Sequence, residues 1–523
     1  MAEMTRRSFV AGAATTAGVA AAGMAALTAK ADEAAEAPAS TSWKTPPEPI
    51  TDFVETIDAD VVVVGAGAAG SVALLAAAAN GAKAVCIQKS PYVLSHGRNY
   101  GALNSRFQAE AGFEEIDLNE IVNAHIRYNG LRPQRAFVQR IFEESAPTLE
   151  WLYDETGIEY TVNNRQSANV YPFETKSYST GHLVPADMMA IGFSNAIVER
   201  AVNEYGAEIY FNMPGEQLVQ DESGRVTGVV AKGEEGYMLF NAAKGVILAT
   251  GDYGSNEEMC AEMCPWVVGR HNYYNPNDNT GDGHKMGTWV GAKMETLPHT
   301  KMAHVHNCID GTNLTDSPIK SNPFLWVNQN GERFMNEESK YYYICNSVAE
   351  QPGDVFYLVF DSNYNQFLTT MWNPGKEIDP AALDNAVELG YASVADTIEE
   401  AAAAFDIPAD VIGATVARYN ELCEAGYDED FGKPAADMQV VAVPPFYIVR
   451  SYTPMDVTMG GLMTDLDMQV IDTEGNVIEG LYAVGNCSGG FCGGADYDLE
   501  VDAFSLGRAA TTGRLAGEHA AKK

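Results

Sequence analysis

The sequence predicts an α/β fold in which one parallel-sheet domain is interrupted by a second domain of different texture. Three observations carry that expectation. The apolar run Val61-Val62-Val63-Val64 leads into the glycine-rich turn Gly65-Ala66-Gly67-Ala68-Ala69-Gly70 and then into an Ala/Leu-rich stretch. Far downstream, Thr458-Met459-Gly460-Gly461 and Gly485-Asn486 supply a second set of glycine turns. Between the two, from about Leu297 to Arg450, aromatic, Asn and charged residues are more frequent.

In chain order, Asp60 and the four valines predict a strand buried on both faces, and Ser71 to Ala79 a helix. A glycine turn between strand and helix lets backbone N–H groups and the positive helix end approach a pyrophosphate, which larger side chains would block. Ala84 to Ile87 predicts the next strand, ending at Gln88-Lys89 about twenty residues on, the spacing of a dinucleotide site. Arg135 to Thr156 carries apolar residues at helical spacing. Tyr205 to Val230 reads as short strands around the turn Asp221-Glu222-Ser223-Gly224. Gly245 to Leu248 predicts another buried strand closed by Ala249-Thr250-Gly251, and Asn279 to Met286 opens a helix. In the region of different texture, helices are expected at Ala395–Phe405 and Pro408–Ala425. Parallel-sheet texture resumes after Thr458. The two glycine sets read as two halves of one flavin site, which makes a redox enzyme the first expectation.

A chain of 523 residues with 46% hydrophobic content can bury a large core in two or three domains. Its formal charge of −38 leaves no basic footprint, so nucleic acid is not an expected partner. Thr5-Arg6-Arg7-Ser8-Phe9-Val10 precedes an Ala/Gly-rich stretch and Ala29-Lys30-Ala31, which reads as a twin-arginine export signal over residues 1–31. Residues 32–52, rich in Ala, Glu, Pro and Ser, read as a flexible linker. No later stretch approaches a long uncharged apolar span, so no transmembrane segment is expected in the mature chain, which should lie in the periplasm or at the cell surface. The eight cysteines form no Cys-x-x-Cys pair, so neither iron–sulfur nor structural zinc ligation nor an attached c-type haem is expected. Cys260 and Cys264 read as packing residues. His304 and His306 alternate around Val305 without further ligands, and no metal site is expected.

Taken as an ordered series, GAGAAG at Gly65, ATGDYG at Ala249, TGDGHKMG at Thr280, NGERFMNE at Asn330, ARYNELCEAG at Ala417, FGKP at Phe431, TMGG at Thr458 and GLYAVGN at Gly480 resembles the flavoprotein subunit of the fumarate reductase and succinate dehydrogenase superfamily. Within it, the chain is most similar to the soluble exported branch that holds urocanate reductases and 3-ketosteroid dehydrogenases. The resemblance implies a Rossmann-like FAD-binding domain, residues 53–294 and 451–523, interrupted by an α+β capping domain over residues 295–450. It implies that Gly65, Gly67 and Gly70, with Ala66, Ala68 and Ala69 between them, hold the FAD pyrophosphate. Gln88, followed by Lys89, stands where the family places a Glu against the adenosine ribose. Ala249, Thr250, Gly251, Thr280, Gly281, Asp282, Gly283, Gly460, Gly461, Gly485, Asn486, Ser505 and Leu506 match other flavin-lining positions, Asn486 in place of a common acid. Ser95-His96 falls near the histidine that membrane-bound members link covalently to FAD, but the spacing differs, so non-covalent FAD is expected.

The family passes hydride between flavin N5 and one carbon of an activated double bond while a protein group handles the proton. Three fumarate-type substrate positions depart here: Val457 replaces the His before TMGG, Asn365 falls at the acid arginine, and Asp496 at the clamp arginine, beside Tyr497. An acid in place of that arginine repels a carboxylate. His299 retains its expected position. The catalytic candidates are therefore Tyr497, His299, Asp496, Tyr341 (with Tyr342 and Tyr343), Glu337 and Arg333. The expected function is reduction of an activated C=C bond of an enone, enoate or aryl-acrylic substrate other than fumarate. A separate electron donor, such as a membrane-linked cytochrome, is the expected partner. The alternatives are a dehydrogenase that forms such a bond and a non-catalytic flavin electron-transfer subunit.

Overall fold

The computed structural model describes residues 42–162, 178–189, 191–270, 278–303, 306–309, 312–313, 324–338, 341–366, 378–493, 501 and 503–523. Its larger sheet has eight strands, in the order Gln469–Ile471, Val477–Ala483, Tyr237–Leu248, Glu55–Val64, Ala84–Gln88 and Glu208–Phe211. Val226–Lys232 also pairs with Tyr237–Leu248 and carries Gly215–Gln220 beyond it. Glu55–Val64 is parallel to both neighbours, with Val64 level with Ile87 on one side and Leu248 on the other. Ala483 is level with Leu248 in turn. Four parallel strands therefore end together, and the carboxyl edge of such a sheet is where ligands bind.

The valine run is continuous because both faces are covered. Val61 and Val63 pack under the helix Ala68–Ala79 with Val72 and Leu75, whereas Val62 and Val64 pack with Val229 and Phe240. Each buried valine contributes about 1.5–3 kcal/mol relative to exposure. The helix begins at Ala68, inside the glycine motif, rather than at Ser71. Gly67 takes the extended N-cap conformation, so the first turn of N–H groups belongs to the motif itself.

Helix Arg135–Thr156 forms over the expected residues and stops at Gly157, which takes the left-handed conformation at φ 70°. The stretch from Tyr205 differs from expectation. A helix, Ile191–Tyr205, ends there, Glu208–Phe211 adds a parallel strand to Ala84–Gln88, and only Gly215–Gln220 and Val226–Lys232 form the hairpin around Asp221 to Gly224. Trp43, inside the stretch expected to be a linker, is buried. Its indole N–H donates to Glu262 and its carbonyl accepts from Trp289.

The second sheet has six strands in the order Thr312–Asn313, His306–Ile309, Phe446–Tyr452, Val355–Asp361 and Leu325–Val327, with Ala392–Ala395 also on Phe446–Tyr452. Alternation places Trp326, Phe356, Leu358 and Phe360 in one core and Leu325, Val327, Tyr357 and Val359 in another, so both faces are covered. The helices Ile398–Ala403 and Ala409–Ala425 supply part of the second cover. The first is shorter than expected because Ala392–Ala395 is drawn into the sheet and Thr397 caps the helix behind it.

The chain leaves the larger sheet along Thr300–Ala303 and returns along Met455–Met459. These two strands pair antiparallel, with Met302 opposite Val457. Among the described residues no helix is long and apolar enough to cross a membrane.

Candidate functional site

A cavity of about 400 Å³ lies at the carboxyl edge of the larger sheet. Its walls include Gly65, Gly67, Ala68 and Ala69 from the first glycine turn, Gln88 and Lys89 from the next strand, and Ala249 to Asp252. Val484 to Asn486, Ala503, Ser505 and Leu506 close it from the C-terminal segment, and Ser95, His96, Met302 and Val457 also line it. Ala66, Gly70, Thr280, Gly281, Gly283, Gly460 and Gly461 are not among the residues that line it.

The turn is closed by backbone contacts that forbid side chains. A Cβ on Gly70 would lie 1.9 Å from the Gly65 carbonyl oxygen, and one on Gly65 2.5 Å from that of Ala249. The helix Ala68–Ala79 has no side-chain cap and no acid in its first turn. Its free N–H groups and partial positive charge are therefore left for a ligand anion. Gln88 acts mainly inside the protein: its Oε1 accepts from the Ala66 N–H at 2.9 Å, and its Nε2 donates to Ser90 Oγ at 2.6 Å and the Tyr92 carbonyl at 3.2 Å. The one lone pair left on Oε1 is what it can offer a hydroxyl. Lys89 Nζ donates to Thr280 Oγ1 at 3.0 Å and pairs with Asp282 at 3.1 Å, while Lys285 holds the other Asp282 oxygen at 2.8 Å. Burial opposes the charge on Asp282, but these two lysines prevail and hold its carboxyl below the ordinary range.

Asp252 was not anticipated and is central to the wall. Its Oδ1 accepts from the Gly254 N–H at 2.7 Å and from the Thr458 N–H and hydroxyl at 3.3 and 3.2 Å, and its Oδ2 from Asn279 at 2.6 Å. It thereby ties the two glycine-rich halves of the site together. Burial outweighs those hydrogen bonds and raises its pKa to about 6. His96 is held neutral by burial, its pKa lowered to about 4 against the pull of Asp278.

His299 stands behind Gly460 rather than on the cavity wall. A Cβ on Gly460 would lie 2.4 Å from His299 Cγ, so the glycine admits the ring. The Glu295 carbonyl, 3.2 Å from Nε2, accepts a hydrogen bond, which assigns the proton to Nε2. Nδ1 therefore accepts from the Tyr253 hydroxyl at 2.8 Å. Burial lowers the His299 pKa to about 4 and raises that of Tyr253, so the pair is neutral. The Tyr253 proton is committed to His299 and the His299 proton to the Glu295 carbonyl.

Arg333 and Glu337 are not on the wall either. Arg333 pairs with Glu337 at 2.8 Å and Asp428 at 2.8 Å, and Lys433 adds a second cation 3.4 Å from Glu337; the last three are buried and the Arg333 side chain is 6% exposed. Their charges are spent on one another. Asn365 is likewise occupied, its amide bonded both ways to the backbone of Ile378 at 2.8 and 3.0 Å. Tyr497 and Asp496 lie outside the described residues, as does the side chain of Tyr341, which begins the helix Tyr341–Ala349. His304 and Val305 are also outside them. Cys260 and Cys264 are buried free thiols, each pushed up to about 12 by burial, as packing residues would be.

Asp252, Tyr253, Glu295 and Arg508 are the residues that sequence reasoning missed. Only the first two carried a signal, as the middle of Gly251-Asp252-Tyr253-Gly254.

An uncapped helix over a turn that excludes side chains fits a dinucleotide pyrophosphate, and the long cavity running on to Met302 and Val457 fits the rest of FAD. The chain matches the family model described as FAD binding domain over residues 60–497. It is 27% identical to the fumarate reductase (cytochrome) of Shewanella frigidimarina over 88% of this chain and 77% of that one. It is 28% identical to the vinyl phenol reductase of Lactiplantibacillus plantarum over 88% and 96%. Its fold superposes on the open conformation of a flavocytochrome c3 fumarate reductase with TM-score 0.71 and 25% identity, covering 93% of this chain and 83% of that one. The chain belongs to the FAD binding domain family, within the fumarate reductase and succinate dehydrogenase flavoprotein superfamily, and is an FAD-dependent oxidoreductase.

Proposed function

We propose that the protein reduces the activated C=C bond of an enone, enoate or aryl-acrylic substrate and does not take fumarate. One observation carries this: Val457 and Met302, opposite each other on paired strands, form an apolar wall where the family's fumarate-type pattern has a histidine. Asn365, clamped to Ile378, offers no acid at the second substrate position. An apolar wall leaves a carboxylate desolvated without a partner, whereas it accepts an aryl or alkyl face. Similarity to a vinyl phenol reductase, whose named substrate has no carboxylate, supports the same reading.

FAD, when bound, supplies the hydride. The protein's own residues fix that cofactor through the first glycine turn, the N–H groups of Ala68–Ala79 and the Asp252 clamp. They also keep the neighbouring histidines neutral by burial, which keeps competing acids away from the reacting carbon. We assign the proton to Tyr497, and Tyr497→Phe is expected to lower kcat by about 10²–10⁴-fold with bound flavin retained. The order of binding is checked by titrating the oxidised protein and following the flavin spectrum. A hydroxycinnamate should perturb it at far lower concentration than succinate or fumarate, and equal or tighter binding of the dicarboxylates would defeat the reading.

Export by the twin-arginine route and reduction by a separate donor belong to the same proposal. The paired Arg6 and Arg7 support the first, and similarity to a fumarate reductase (cytochrome) supports the second. Replacing both arginines by lysine is expected to hold the protein in the cytoplasm, as fractionation would show.

A further inference from the structure

Arg508 is 1% exposed, yet its hydrogen-bond partners are neutral. Its Nη2 donates to Asn486 Oδ1 at 2.6 Å and its Nη1 to the Ser488 carbonyl at 3.4 Å, while Nε has no partner. The guanidinium carbon lies 5.8 Å from the centroid of the Phe491 ring. Among the described residues, two titratable groups face it. His125 is neutral because burial lowers its pKa to about 4, and Glu295 is a weak counter-charge because burial raises its pKa to about 7 against the pull of Arg508. Arg333, by contrast, is buried between two carboxylates.

An arginine stays protonated at any working pH. A cation desolvated without an ion pair is costly, and in a medium of low dielectric its field reaches further than in water. Arg508 spends that field toward the cavity, since Asn486 is part of the wall and Ser505 and Leu506, just before Arg508 on the same helix, are part of it too. We propose that Arg508, hydrogen-bonded to the wall residue Asn486, raises the reduction potential of the FAD held in this cavity because the field of its buried charge favours the negative charge that reduction adds. The proposal rests on the assignment of FAD to the cavity and is independent of the substrate class.

The test is the midpoint potential of the bound flavin, measured by anaerobic reductive titration against reference dyes in the FAD-loaded protein and its variants. Arg508→Met is expected to lower the ratio of reduced to oxidised flavin at a fixed potential by about tenfold or more, which is about 30 mV for a two-electron couple. Arg508→Lys keeps the charge and should recover most of that loss. Asn486→Leu removes the hydrogen bond but keeps the cation and should shift the ratio by less than about threefold. An unchanged potential in Arg508→Met, or an equal fall in Asn486→Leu, would overturn the proposal. Should Arg508→Met fail to fold, Asn486→Asp, which sets a carboxylate against the intact arginine, must lower the potential, and an unchanged value there overturns it equally. Wild-type protein that takes up no FAD would instead remove the cofactor assignment itself.

Discussion

Gly460 and Val457 stand three residues apart, one in the second glycine turn and the other on the strand leading into it, and each performs a task that depends on what its side chain lacks. Gly460 makes room for His299, so Gly460→Ala must displace the ring and break its bond with Tyr253. A loss of about 1–3 kcal/mol is expected, as for other overpacked cores, and urea unfolding of the apoprotein checks it. Val457 keeps the cavity end apolar. Val457→His would bury a polar group with no partner at a cost of about 1–3 kcal/mol, so kcat/KM for an aryl-alkene substrate should fall by about tenfold or more. The glycines were legible in the sequence because backbone contacts at Gly65 and Gly70 leave no other residue type possible. Arg508, Glu295 and the Tyr253–His299 pair were not, since their partners lie far away in the chain and no local pattern records them. Asn365 was noticed as a departure, but only its two bonds to Ile378 show what the residue does instead.

Elements show the same division. The strand Glu55–Val64 and helix Arg135–Thr156 were readable because each is long and strongly patterned, one ending in four consecutive buried valines and the other with helical spacing. The helix ending at Tyr205 was missed because the stretch after it alternates convincingly, and the boundary is set by tertiary packing of Ile197, Val198 and Ala201. Helix Ala68–Ala79 begins early enough for its first turn to serve the cavity. Gly70→Ala should therefore abolish retention of FAD, read as the loss of flavin absorbance after gel filtration, while leaving far-UV circular dichroism near that of the parent. Beside the strand Leu325–Val327, Arg333 and its carboxylates illustrate burial of charge with full pairing. Arg333→Met leaves Glu337 and Asp428 buried with one fewer cation and should cost about 3–5 kcal/mol. Arg418, whose pairs with Glu429 and Asp430 are at the surface, should be replaceable by alanine without a measurable change in stability.

For the molecule as a whole, burial sets how stability depends on pH. His96, His125, His182, His284 and His299 all have pKa values lowered to about 4 by burial. A group whose folded pKa is depressed stabilises the fold above its unfolded value and loses that contribution as pH falls through the folded one. Asp252 and Glu295, raised to about 6 and 7, act in the opposite sense, their contribution being present at low pH and lost as pH rises. Five histidines outweigh two acids, so the Tm of the apoprotein should fall as pH is lowered from about 6.5 to about 4; a Tm that rises over that window would contradict the burial described. A cavity lies at the carboxyl edge of the larger sheet's parallel strands, and the apolar pair Met302 and Val457, on the paired strands Thr300–Ala303 and Met455–Met459, lines it. Whether that chamber serves an alkene without fumarate's two carboxylates is tested most directly by reducing the FAD-loaded protein anaerobically with dithionite and viologen and following reoxidation by fumarate, urocanate, hydroxycinnamates and steroid enones. Rapid reoxidation by a hydroxycinnamate or an enone with none by fumarate is the predicted result, and turnover of fumarate at an enzymatic rate would contradict it.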